Sequence, residues 1–156
     1  STYLATNLNL GGALTKSGAL LFAGITASFA GDRERPITLD KLPAAAQEFL
    51  AANFKDLTLA YAVEDPKFIG SEYEVIYTDR TEVDFESNGE WSSVERKYAA
   101  VPAAIVPVQI ADYVKKSFAG ESIRKIDRDK YTWEVELSNG LEIKFDRNFQ
   151  VIDIDD

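Results

Sequence analysis

After Pro36 two periodicities alternate along the chain. From Leu42 to Phe54 the positions Leu42, Ala45 or Ala46, Phe49, Leu50 and Phe54 fall on one stripe, in a stretch rich in alanine and opened by Pro43. That spacing predicts a short amphipathic helix with proline in its first turn. The period then drops to two. Tyr61–Val63, Glu72–Thr78, Arg80–Glu86 and Glu90–Arg96 are rich in Tyr, Val, Ile, Thr and Trp, and Asp65-Pro66, Ile69-Gly70, Thr78-Asp79 and Ser87-Asn88-Gly89 punctuate them. They predict antiparallel strands joined by tight turns.

The same order recurs. Leu42–Phe54 matches Val106–Phe118 at an offset of 64, with Phe49/Tyr113, Leu50/Val114 and Phe54/Phe118 in register. Tyr73-Glu74-Val75 matches Trp133-Glu134-Val135, and Val83-Asp84-Phe85-Glu86 matches Ile143-Lys144-Phe145-Asp146, at an offset of 60. A four-residue deletion in the first loop between strands accounts for the change of offset. The expected fold class is therefore α+β, with two tandem helix-plus-antiparallel-meander repeats and the helices packed on one face of the sheet. The repeats would occupy residues 31–97 and 98–156.

Charge changes the picture at Ala30/Gly31. Residues 1–30 carry Lys16 and no acid, whereas the remainder holds 16 basic and 26 acidic side chains. Lys16, the apolar run Ala19–Ala27 and the small residues at Ser28-Phe29-Ala30 have the form of a secretory signal or N-terminal extension. The run is too short for a membrane span. Against that reading, the segment before Lys16 is long and poor in basic residues, and the same stretch reads as folded structure, with a strand over Thr2–Leu10 and a buried element over Ala19–Phe29. The net charge of −9 argues against a nucleic-acid partner. With no histidine and no cysteine, the commonest general base, thiolate nucleophiles, disulfides and zinc-thiolate sites are all excluded.

A helix opening on Leu-Pro or Val-Pro and closing on Phe, strands carrying Tyr-Glu-Val and Val-Asp-Phe, and the turn Asn88-Gly89-Glu90-Trp91 together resemble the PepSY-like proteins of Bacteroidetes, grouped with the beta-lactamase-inhibitor-like fold. The resemblance covers about residues 36–156. It implies a periplasmic or secreted protein without a known reaction, in a wider group associated with inhibiting or binding other proteins. Some members of that group have been labelled calcium-regulated.

Three constellations are candidates for chemistry. In Asp84–Glu95 the oxygen-bearing residues Asp84, Glu86, Asn88 and Glu95 fall at positions 1, 3, 5 and 12 around Gly89 at position 6, the spacing of a calcium loop. The same residues fit a hairpin in which Asn88 and Gly89 supply the turn. The flanking segments read as strands, where an EF-hand needs helices. Asp153, Asp155 and Asp156 form, with Asp146, a second acidic group near the end of the last strand, which reads first as an edge strand kept soluble by charge. Tyr73, Tyr77, Trp91 and Trp133 are the expected anchors if the sheet has an open face that recognises protein or peptide, with core packing as the alternative use. The expected function is thus non-enzymatic binding of a protein or peptide partner. Calcium binding or regulation is the alternative, with Ca2+ the one ion the pattern admits and no other cofactor implied. Carboxylate-based hydrolysis is a minor alternative, because no acidic pair is set apart by an apolar pocket signature.

Overall fold

The computed structural model describes residues 33–156 and, before them, the backbone of three short strands. These are β1 (Ala13–Leu14), β2 (Leu20–Phe22) and β3 (Ile25–Ala27), paired antiparallel in the order β1-β2-β3. Apart from them, the expected signal or extension over residues 1–30 and the alternative strand over Thr2–Leu10 lie outside the described residues.

From residue 35 the chain runs β4 (Arg35–Ile37), α1 (Ala44–Asn53), β5 (Leu59–Pro66), β6 (Ser71–Tyr77), β7 (Thr81–Phe85), β8 (Trp91–Arg96), α2 (Val108–Ser117), β9 (Ile123–Arg128), β10 (Trp133–Leu137), β11 (Glu142–Phe145) and β12 (Val151–Asp155). The strands β4 to β12 form a nine-stranded antiparallel sheet in sequential order, which with the two α-helices makes the fold of the described residues α+β. The chain divides into two compact units, Ser1–Trp91 and Ser92–Asp156.

In the first unit, α1 starts directly after Pro43, whose φ of −55° suits entry into a helix. It ends where the Phe54 N–H donates to Leu50 O at 2.8 Å. Ala46 and Leu50 are buried. The Phe49 ring meets Phe85 edge-on at 5.9 Å and stacks on Trp91 at 5.9 Å, and Phe54 lies against Tyr77 at 5.9 Å. The strand residues facing α1 are those of one parity, because side chains alternate across a strand. Val75 pairs with Val83 and Tyr73 with Phe85, and Val75, Val83 and Phe85 are fully buried.

The second unit shows the same contacts in other residues. Pro107 precedes α2, Phe118 N–H donates to Val114 O at 2.8 Å, and Ile110 and Val114 are buried. Tyr113 meets Phe145 edge-on at 5.6 Å and Phe118 at 6.1 Å, where Phe49 meets Phe54 at 6.2 Å in the first unit. Ile126, Val135, Ile143 and Phe145 share the helix-facing parity and are fully buried.

Each unit closes its meander with the same turn. Glu86 N–H donates to Glu90 O and Gly89 N–H to Glu86 O, while Asp146 N–H donates to Gln150 O and Phe149 N–H to Asp146 O, all within 2.8–3.0 Å. Both turns need a left-handed residue, Gly89 at φ +89° and Phe149 at φ +62°. Gly89 is required twice over, since a Cβ there would lie 3.0 Å from Pro43 Cβ and 3.1 Å from Ala45 Cβ.

Candidate functional site

The helix-facing positions are spent on the core, so a site has to be sought on the alternate positions of the strands, here called the reverse side of each unit. In the first unit these are Tyr61, Val63, Glu74, Ile76, Glu82 and Asp84, tied by the pairings Val63↔Glu74↔Asp84 and Tyr61↔Ile76↔Glu82. Val63 and Ile76 are buried. Burial pushes the Glu74 carboxyl up to about 7, and the negative charges of Asp84, Glu82 and Glu34 add to the shift. The Tyr61 hydroxyl is raised to about 12 by burial first and then by Glu74, Glu82 and Glu34.

In the second unit the corresponding positions carry Lys125, Asp127, Glu134, Glu136, Glu142 and Lys144, with Ser93 and Glu95 contributed by β8. The pairings run Ser93↔Asp127↔Glu134↔Lys144 and Glu95↔Lys125↔Glu136↔Glu142. These side chains are partly or fully exposed, and Lys125 Nζ stands 3.9 Å from Asp127 Oδ2. Burial raises Glu134 above the usual carboxylate range, and Lys144, directly opposite it, pulls it back down. Together with Asp153 and Asp155, which pair with Lys144 and Glu142, carboxylates outnumber lysines on this side seven to two.

The residues expected from sequence are placed as follows. Tyr77 and Trp91 are buried against Phe54 and Phe49. Tyr73 is half-buried opposite Phe85, and Trp133 is half-buried with Phe149 at 6.1 Å and the Arg128 guanidinium 5.9 Å from its ring centroid. Tyr73, Tyr77 and Trp133 share the parity of Val75 and Val135, which alternation assigns to the helix-facing side, so the reverse sides are built from other residues. Asp84, Glu86, Asn88 and Glu95 span a hairpin. Asn88 Oδ1 accepts the Glu90 N–H at 2.9 Å, an Asx turn that orders the loop, and Glu86 and Asn88 are exposed beyond the ends of the strands that carry Asp84 and Glu95. Among the described residues no group of three or more acidic side chains is arranged to hold a metal ion. Asp153 and Asp155 are exposed on β12, where Asp153 faces Lys144 and Asp155 faces Glu142 across the pairing. Asp146 turns the other way, its Oδ1 accepting the N–H groups of Asn148 and Gln150 at 2.8 and 3.0 Å.

The reverse-side carboxylates Glu74, Asp127, Glu134, Glu136 and Glu142 were not singled out from sequence. The signal that finds them is the match between the two halves of the sequence. Reading each strand's alternate residues across both copies lines up Val63 with Asp127, Ile76 with Glu136 and Asp84 with Lys144.

An antiparallel meander whose helix-facing residues form a core makes this a small α+β domain. The family model for "Putative beta-lactamase-inhibitor-like, PepSY-like" proteins matches residues 71–153, and the chain belongs to this PepSY-like family. Solved structures agree. A "putative periplasmic protein from DUF2874 family" of Bacteroides vulgatus is 42% identical over 81% of this chain and 100% of its own, with a TM-score of 0.78. A "putative calcium-regulated periplasmic protein" of Bacteroides thetaiotaomicron is 40% identical over 80% and 98% of the two chains, with a TM-score of 0.77. A third, a "putative periplasmic protein of unknown function" from Bacteroides vulgatus, is 30% identical over 79% and 99%, with a TM-score of 0.74. Among curated proteins none matches. The chain is a periplasmic protein by these relationships, and no helix among its described residues is long and apolar enough to cross a membrane.

Proposed function

We propose that the protein is a non-enzymatic periplasmic binding protein that recognises a cationic segment of a protein or peptide on the reverse side of its second unit. The observation that carries this reading is the accessible ladder Glu95, Asp127, Glu134, Glu136 and Glu142, interrupted only by Lys125 and Lys144. Such a ladder attracts positive charge and fixes register through the two lysines, which repel a partner bound one residue out of place. The recurrence of the helix caps, ring contacts and closing turns supports treating residues 31–97 and 98–156 as two copies of one unit. The reverse side of the copy 98–156 would then have diverged for binding, with Glu95 from the last strand of the copy 31–97 beside it.

Calorimetric titration of the full chain with a lysine-rich peptide tests this. Binding is expected to weaken on the order of tenfold in the triple variant Glu134→Gln, Glu136→Gln, Glu142→Gln, and to weaken further as salt rises. Equal affinity in the variant and the parent would contradict it.

Calcium is a second reading. It is supported by the similarity to a protein named calcium-regulated and by the calcium-loop spacing of Asp84, Glu86, Asn88 and Glu95. A calcium titration with melts in calcium and in chelator tests it. An ion bound only by the folded state at 100 times its dissociation constant stabilises by about 2.7 kcal/mol, and that gain should vanish in the Asp84→Asn, Glu86→Gln variant. No heat and no shift in melting temperature would remove it.

A further inference from the structure

The two edges of the large sheet are not alike. At one edge, β4 is three residues long and has Pro36 at its centre, which offers no N–H to a neighbouring chain. At the other, β12 is five residues long, contains no proline and, among the described residues, pairs only with β11. Ile152 and Ile154 on it are 53% and 47% exposed, an unusual state for aliphatic side chains on an edge strand.

The composition of β12 specifies what would pair with it. Ile154 lies opposite Ile143, on the helix-facing parity, whereas Asp153 and Asp155 lie opposite Lys144 and Glu142, on the reverse side. A strand added beside β12 would therefore set an apolar residue next to Ile154 and residues two apart next to Asp153 and Asp155. A second copy of β12 fits poorly. Antiparallel pairing about Asp153 sets that carboxylate against itself, and pairing about Ile154 sets Asp153 against Asp155, so like charges meet directly.

From this we infer that β12 is a docking edge for an extended cationic strand of a partner protein, of the pattern basic–apolar–basic, which lengthens the sheet by one strand. Main-chain hydrogen bonds would supply affinity and the alternating side chains specificity. The inference deepens the proposed function, on which it rests for the partner's charge. It adds the partner's conformation and the place where its backbone lies.

The test uses the full chain, isotopically labelled, and a synthetic peptide that alternates lysine with isoleucine or valine. The expected result is cross-strand proximity between peptide and β12 backbone, together with slowed amide exchange in residues 151–155. Binding should fall on the order of tenfold in the Asp153→Lys, Asp155→Lys variant, and that variant should prefer a peptide alternating glutamate with isoleucine. Proximity to the β9–β11 side chains without protection of β12, lost in the Glu134→Gln, Glu136→Gln, Glu142→Gln variant alone, would overturn the edge and leave the face reading standing. Protection of β12 that survives that triple variant would support the edge and contradict the face. No binding of the peptide at millimolar concentration would overturn both.

Discussion

The two units share the ring contacts between helix and strands and differ in their reverse sides. Phe49 against Phe85 and Tyr113 against Phe145 are one edge-on contact made twice, at 5.9 and 5.6 Å. On the reverse side, Tyr61, Val63, Ile76 and Asp84 of the first unit stand where the second has Lys125, Asp127, Glu136 and Lys144. Helix-facing positions stay apolar, even where Ala46 and Ala62 of the first unit stand where the second has Ile110 and Ile126, and such changes of volume need compensation nearby because close packing penalises cavities and overpacking alike. Positions of the other parity differ more in kind, since Val63 and Ile76 of the first unit are buried whereas the matching Asp127 and Glu136 of the second are partly exposed. Function is therefore better sought where the copies disagree than where they agree.

The largest effects should fall where they agree. Phe85 and Phe145 are both fully buried, so Phe85→Ala and Phe145→Ala should each cost about 3–5 kcal/mol in denaturant unfolding, with values close to one another. A cost in one unit and near neutrality in the other would break the equivalence of the two cores.

The turns sharpen the comparison at an intermediate size. Gly89 and Gly140 have nearly the same backbone, φ +89° and +92°, yet a Cβ at 140 meets open space and one at 89 meets Pro43, Ala45 and the Ala46 amide. Gly140→Ala should cost about 1 kcal/mol from the left-handed conformation alone. Gly89→Ala should cost about 2–3 kcal/mol, because the start of α1 must also give way. Equal costs would mean that the turn is not pressed against α1.

The smallest effect concerns charge. Glu74 faces Asp84, whereas Glu134 faces Lys144. The folded-state value of Glu74, about 7, lies above its ordinary value of 4.5, so folding favours the protonated form. Its contribution to stability is fully present below pH 4.5 and is lost as pH rises through about 7. Allowing for solvent screening of a partly exposed group, the loss is about 1 kcal/mol. Asp84→Lys should lower the Glu74 midpoint and flatten that slope, and Lys144→Asp should raise the Glu134 midpoint, both read by carboxyl NMR titration. Unchanged midpoints would show that burial alone sets these values.

Much of the skeleton was legible in sequence. The helices expected over 42–54 and 106–118 run over Ala44–Asn53 and Val108–Ser117, shorter because Pro43 and Pro107 sit just before the first helical residue and Phe54 and Phe118 just past the last. The strand expected at Tyr61–Val63 is longer, Leu59–Pro66, because the Lys67 N–H donates to Gly70 O and draws the chain into a hairpin with β6. The strand β4 was not foreseen, since a proline at the middle of three residues hides the pattern of an edge strand. The candidate site was less legible. The spacing around Asn88 is shared by a cation loop and a hairpin, and only the Glu90 amide on Asn88 Oδ1 shows how that side chain is used. Aromatics were weighed as anchors, but alternation assigns Tyr73, Tyr77 and Trp133 to the side where Phe49, Phe54 and Tyr113 complete the core. The carboxylates that remain are spread over several strands, Glu134 and Glu136 sharing β10, and strand pairing assembles them.

The most direct test of the account is to map where a lysine-rich peptide perturbs the amide and carboxyl resonances of the full chain. The account predicts perturbations at Asp127, Glu134, Glu136 and Glu142 that diminish with added salt, with α2 and its core partners Ile126 and Phe145 unmoved. Perturbations centred on the helix, or none at all at low salt, would contradict it.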